Sequence, residues 1–195
     1  MTTHPKVVQL AGQAINLLLG RKITIKTPFE NLTKAEVVAI SPMKPAIKLT
    51  HSCITQRFGN HDGTCYGCVL RRLATTAADV PDVKYLKNPI ARENTHCGNL
   101  LTLLRFCHDI LTGFEKMEEY EVGTIEHYGK KDLFYRFALD NYAAIHRLIL
   151  EGHLVQRGVR QLYEGTVSAI GTQVLEDRLN RLQTSVNVPE FHYQT

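Results

Sequence analysis

Cys65 and Cys68 stand two residues apart in Asp62-Gly63-Thr64-Cys65-Tyr66-Gly67-Cys68, and Cys53 lies upstream across a polar loop that contains Gly59. A C-x-x-C pair lets two thiolates converge on one tetrahedral ion, because the turn between them points both sulfurs the same way. Zinc takes four ligands at about 2.0–2.3 Å. Cys53 supplies a third sulfur, and Asp62 or His61, a few residues before Cys65, is placed to supply the fourth. Two other readings compete: a redox pair, or two small apolar residues opening a helix. A thioredoxin-like site needs a preceding strand in a βαβ setting, whereas Arg57 to Thr64 is polar and loop-like. The spacing therefore favours a metal.

The elements that must hold these residues are mostly helical. Pro5 suits a first helical turn, and Val7, Val8, Leu10, Ala11, Ala14, Ile15, Leu17, Leu18 and Leu19 recur at helical spacing up to Gly20. Ile23-Thr24-Ile25 alternates with Lys22 and Lys26 and predicts a short strand. Thr33-Lys34-Ala35-Glu36 has the form of a capping box, opening a helix to about Ile40 that Pro42 and Pro45 stop. Ile47 to Thr50 reads as a brief extended piece. From Cys65 the pattern is helical through Ala78. Asp79 to Pro89 reads as a loop. A further helix is expected from near Thr95 to Gly113, another from about Leu133 to Gly152, and a third stripe from Leu154 to Leu182 that its glycines weaken or break. From Ser185 the chain reads as a loose tail.

Composition narrows the classes. The chain has 195 residues, 44% of them hydrophobic, so a core can form. A charge of +4 fits a nucleotide or nucleic-acid partner without indicating either. The basic residues Arg57, Arg71, Arg72, Lys84 and Lys87 are not interleaved with stacking aromatics, so a nucleic-acid partner is not expected. No apolar run approaches the ~20 residues that span a bilayer, and the first residues lack the regions of a secretory signal. Five cysteines is an odd, sparse number, which fits a reducing cytosol better than a disulfide framework. His51 reads as a loop hydrogen-bonder. Cys107, on a helical stripe with Leu103, Leu104 and Leu111, reads as core, and Cys97, next to His96, has no ligand-spaced cysteine. Glu115, Glu118, Glu119 and Glu121 read as a solvent face.

Two groups of residues carry a family resemblance. Thr27-Pro28-Phe29-Glu30-Asn31-Leu32-Thr33-Lys34-Ala35-Glu36-Val37-Val38 is the first. Thr50-His51-Ser52-Cys53 with Asp62-Gly63-Thr64-Cys65-Tyr66-Gly67-Cys68-Val69-Leu70-Arg71 is the second. Together they resemble the C-terminal part of the 7-cyano-7-deazaguanine synthase family, over roughly residues 4–75. Thr3-His4-Pro5 is also similar to distant relatives in phage-defence systems. The resemblance implies a PP-loop-class α/β enzyme that uses ATP to activate the carboxylate of 7-carboxy-7-deazaguanine, which ammonia converts to the nitrile, a precursor for queuosine. It also implies a structural zinc near the substrate pocket, with Cys53, Cys65 and Cys68 as ligands. The family's remaining cysteine falls on Asp62. Three thiolates and a carboxylate around a dication leave a formal −2; three thiolates and a neutral His61 leave −1.

The family's Ser-Gly-Gly-x-Asp-Ser loop is absent from the sequence, and no other glycine-rich loop offers a nest of N–H donors for triphosphate. The expectation is therefore a mostly α chain with a small α/β N-terminal part, the remnant of a doubly wound α/β domain (adenine nucleotide α hydrolase-like). Residues 1–50 would be its last α/β unit, 51–112 the zinc loop and a helical subdomain, and 113–195 a helical extension. Catalysis would need a PP-loop subunit or a missing N-terminal half, with ATP bound only in the complete enzyme. Cys53, Asp62, Cys65 and Cys68 are the expected zinc ligands, with His61 as the alternative. Lys34, Arg71 and Arg72 are candidate contacts for the deazaguanine or for phosphate, although the two arginines equally suit a solvated helix face. The competing expectation is a non-catalytic helical interaction module braced by the zinc clip.

Overall fold

The capping box is present as the sequence predicts: the Thr33 hydroxyl accepts from the Glu36 N–H, and the Glu36 carboxylate accepts from the Thr33 N–H. It opens one of the helices that dominate a computed structural model of the chain, which describes residues 5–56, 60–91, 97–113 and 130–184. In order these are α1 (Pro5–Leu19), α2 (Lys34–Ile40), a 3-10 turn (Lys44–Leu49), α3 (Tyr66–Ala77), α4 (Gly98–Thr112), α5 (Lys131–Leu150), α6 (Arg157–Ile170) and α7 (Thr172–Thr184). The fold is mostly α, as expected, and no helix among the described residues is long and apolar enough to cross a membrane.

Two local expectations are corrected. Residues 22–27 form no strand. Their alternation is real, but a ladder needs a neighbour, and among the described residues none pairs with them. The segment instead folds back on α1, where Asn16 Oδ1 accepts from the Ile23 N–H at 2.5 Å and the Ile25 side chain lies over Gly12. The expected extended piece at Ile47–Thr50 is mostly the 3-10 turn. Pro45 fits its first positions, and N–H donation from Ala46 to Met43 O and from Thr50 to Ile47 O closes it. The predicted break in the last stripe falls at Gly171, whose φ of +82° ends α6 just before α7 begins. The expected tail from Ser185 and the glutamates at 115–121 lie outside the described residues.

The core is built around α5, which packs against α3, α4 and α7. Leu73, Leu100, Leu104, Tyr142, Ile145, Leu175 and Leu182 are fully buried there, and burial of each leucine or isoleucine is worth about 1.5–3 kcal/mol relative to exposure. One apolar cluster runs from Ala35 to Leu182. Its polar counterpart joins α2, α5 and α7. Glu36 pairs with Arg136 and, at 2.7 Å, with Arg178, which also donates to Asp140 at 2.7 Å.

Candidate metal centre

Three loops and one helix start converge on the cysteines. Cys65 is the N-cap of α3 and Cys68 lies in its first turn, so both sulfurs sit at the helix N-terminus. Cys53 arrives on the segment that follows the 3-10 turn. Its approach depends on Gly67, where a Cβ would come within 2.1 Å of the Ser52 carbonyl oxygen. Gly63 plays the same part on the other side. It holds φ +93°, and a Cβ there would meet the Lys87 carbonyl oxygen at 2.0 Å. A backbone bridge between His61 and Tyr85 fixes that flank, with Leu86 N–H donating to His61 O and Lys87 N–H to Asp62 O, each at 2.9 Å.

The Sγ atoms of Cys53, Cys65 and Cys68 all lie within 4.8 Å of one another, and all three residues are buried. Cys53 and Cys65 are 3.8 Å apart. Regular tetrahedral geometry with zinc–sulfur bonds of 2.3 Å puts two sulfurs about 3.8 Å apart. The donor set therefore fits a soft or borderline cation such as zinc. Burial opposes ionisation of Cys53, but the Thr55 hydroxyl and the backbone N–H groups of Asp62 and Gln56 point at its sulfur and bring it down to about 6. Burial pushes Cys68 up to about 12, helped by the neighbouring Cys65 and Cys53. A dication, if bound there, would favour the thiolate form of its ligands.

The two candidates for the fourth position are turned differently. Asp62 Oδ1 accepts from the N–H of Thr64 at 2.8 Å, from the N–H of Cys65 at 3.1 Å and from the Thr64 hydroxyl, while Oδ2 faces the Lys87 ammonium at 3.9 Å. These hydrogen bonds, the Thr64 hydroxyl first, hold its pKa below the ordinary value. The carboxylate thus caps the approach to α3 and is not one of the converging atoms. His61 is buried, and its Nδ1 lies 3.9 Å from Cys68 Sγ. Burial, with help from Arg71 and His51, lowers its pKa and keeps the ring neutral.

Both candidate arginines have partners within the chain. Arg71 is buried, and its guanidinium is fully committed: Nε and Nη2 reach Asp82 Oδ1, Nη1 reaches the Thr50 carbonyl and hydroxyl, and Nη2 also reaches the Ile47 carbonyl. It ties the end of the 3-10 turn to α3, and so sets where Cys53 begins its approach. It is neither a solvated face nor an open cation. Arg72 lies over the Tyr85 ring, 5.3 Å from its centroid. Lys34, the first residue of α2, is exposed as a residue, but its ammonium is partly desolvated by the groups around it. That desolvation, then Arg71, lowers its pKa, while Asp82 and Cys68 act against the shift.

Asp82, which the sequence reading passed over, organises this layer. It accepts from Arg71, Val83 N–H, the Thr75 hydroxyl and the Tyr85 hydroxyl. Its only sequence signal is a carboxylate beside Pro81 in a loop. His51 donates to the Gln56 carbonyl, the loop role expected of it. Cys107 is core, with the Asn141 amide donating to its sulfur. Cys97 is buried as the N-cap of α4. Arg57 and His96 lie outside the described residues.

Residues 3–79 match the family model of QueC, the queuosine biosynthesis protein. The match takes in α1, α2, the cysteine loop and α3, and it stops before α4. No curated protein and no solved structure matches the chain. The similarity is thus to QueC over the first part of the chain, and within it three buried cysteines stand close enough to hold a metal ion.

Proposed function

We propose that this chain is the zinc-bearing part of a 7-cyano-7-deazaguanine synthase-like ligase, working with a PP-loop subunit or half that supplies the ATP site. The observation that carries this reading is the convergence of Cys53, Cys65 and Cys68 inside the QueC-like segment. These residues would hold the zinc, which when bound supplies a rigid cross-link between the Cys53 segment and the start of α3. The chain's own residues do the rest of the positioning. Arg71 holds the loop to the helix, Gly67 and Gly63 admit the close backbone approaches, and Lys34 keeps a cation at the rim for an anionic deazaguanine or phosphate.

Helix α1 supports the partner. Val7, Leu10, Leu17, Leu18 and Leu19 are more than half exposed, and none of its side chains joins the apolar core. A PP-loop domain packing there would cover this apolar face and give residues 22–27 a sheet to join. In this reading the isolated chain binds about one zinc, has no ATP pyrophosphatase activity, and co-purifies from its native source with a PP-loop protein. Zinc-free protein, or zinc content unchanged in the Cys65→Ser/Cys68→Ser variant, would remove the metal reading; native purification without a PP-loop protein would remove the ligase reading.

A second reading rests on a different observation. The cluster from Ala35 to Leu182 joins the QueC-like segment to helices outside the match as one core, which suits a non-catalytic helical module braced by the clip. Native co-purification with other partners and no PP-loop protein would favour it.

A further inference from the structure

We propose that His61, through Nδ1, completes a three-thiolate, one-imidazole zinc site, and that Asp62 is its scaffold and not a ligand. This inference rests on the zinc reading above and deepens it. Four observations lead to it. First, His61 is 2% exposed, a burial that a histidine with no polar role rarely has. Second, its Nδ1 lies 3.9 Å from Cys68 Sγ, near the roughly 3.6 Å separating nitrogen and sulfur on neighbouring corners of a zinc tetrahedron; the cluster within 4.8 Å holds the three sulfurs alone, so the ring has still to close on Cys53 and Cys65 as the ion binds. Third, its backbone is pinned by the bridge to Tyr85, and its ring is flanked by the rings of His51 at 4.8 Å and Tyr85 at 5.8 Å, so the imidazole is held before any ion arrives.

Fourth, Asp62 is already occupied. Its Oδ1 takes three donors at the start of α3 and its Oδ2 faces Lys87. Turning it to the sulfurs would take the acceptor from the Thr64 and Cys65 N–H groups, at the desolvation cost of unpaired donors. Charge points the same way. A carboxylate would leave the buried site at a formal −2 and the imidazole leaves −1, and Arg71, the nearest buried cation, already has all its donors committed. Asp62 instead contributes backbone: its N–H donates to Cys53 Sγ at 3.4 Å, so fixing its side chain on α3 also fixes a donor to a ligand sulfur.

The test compares full-length wild type with His61→Ala, His61→Cys and Asp62→Asn, each checked for helicity by circular dichroism and loaded with zinc or cobalt(II) alone. X-ray absorption of the zinc-loaded wild type should count three sulfur scatterers and one nitrogen scatterer with imidazole multiple scattering. His61→Ala should lose the imidazole signal and bind zinc at least about tenfold more weakly. His61→Cys should give a four-sulfur site and shift the cobalt spectrum accordingly. Asp62→Asn should keep the imidazole signal. An absorption spectrum of the wild type with no imidazole, or an oxygen scatterer that disappears in Asp62→Asn, overturns the assignment while leaving the zinc reading intact. Wild type that binds no zinc overturns the zinc reading itself, and this assignment with it.

Discussion

Helices α1 and α3 both lie in the QueC-like segment and both carry apolar stripes, yet they are used in opposite ways. Val69, Leu73, Ala74 and Ala77 of α3 are buried against α2, α4 and α5. In α1, Leu17 and Leu18 are 85% and 84% exposed, and the helix rests mainly on its own return segment through Gly12 and Asn16. A helix apolar on most of its circumference is normally buried. The difference teaches that similarity to one family can span a part whose apolar face is buried within the chain and a part whose apolar face stays exposed in it.

Core truncation should separate the two helices most sharply. Leu73→Ala in α3 should cost about 4 kcal/mol in urea unfolding, whereas Leu18→Ala in α1 should stay within about 0.5 kcal/mol. Equal losses would mean that α1 is packed into the fold after all.

The next test cuts the link between α3's neighbourhood and the far helices. Glu36→Gln removes a charge that answers both Arg136 and Arg178 and should cost about 3 kcal/mol. Burial opposes ionisation of Glu36, but the hydrogen bonds from Arg136 and Arg178 outweigh it and hold the folded pKa below the ordinary 4.5. A depressed folded pKa gives stability that is present above the unfolded value and is lost as pH falls through the folded one. Asp82, depressed by Arg71 and Tyr85 against its burial, acts in the same direction. Thermal stability of the wild type should therefore fall below about pH 4.5, and the fall should be shallower in Glu36→Gln. Parallel pH profiles would argue against the pairing.

Within α3, Gly67→Ala should push the Ser52 carbonyl away and weaken zinc binding about 10–100-fold, measured by competition with a chelator, while the helix itself is retained because alanine is the better helix former. The smallest effect on stability belongs to α1. Leu17→Ser/Leu18→Ser should leave the unfolding midpoint nearly unchanged but abolish co-purification of any partner bound there. A partner that survives this change would have to dock elsewhere.

What could be read from the sequence follows from distance along the chain. The Thr33–Glu36 box and the C-x-x-C pair are local, so spacing reveals them, and the long helical stripes fix their own period. Glu36's second role is invisible because its partners lie 100 and 142 residues away. Spacing alone leaves Arg71 between a ligand contact and a solvated face, because Asp82, Thr50 and Ile47 meet it only in three dimensions. Alternation at 23–25 predicts a strand that does not form, because it identifies a strand's faces and says nothing of whether a neighbour exists. Asp62 has a ligand's spacing from Cys65, and only the loop's geometry turns its carboxylate toward the N–H groups of Thr64 and Cys65.

The reach of Arg178 back to Glu36 also sets an order of events at birth. A chain leaving the ribosome exposes α2 and the cysteine loop long before α7 emerges. Until then Glu36 lacks Arg178, so the three cysteines can come together while the helix before them still waits for α7 to be locked in place.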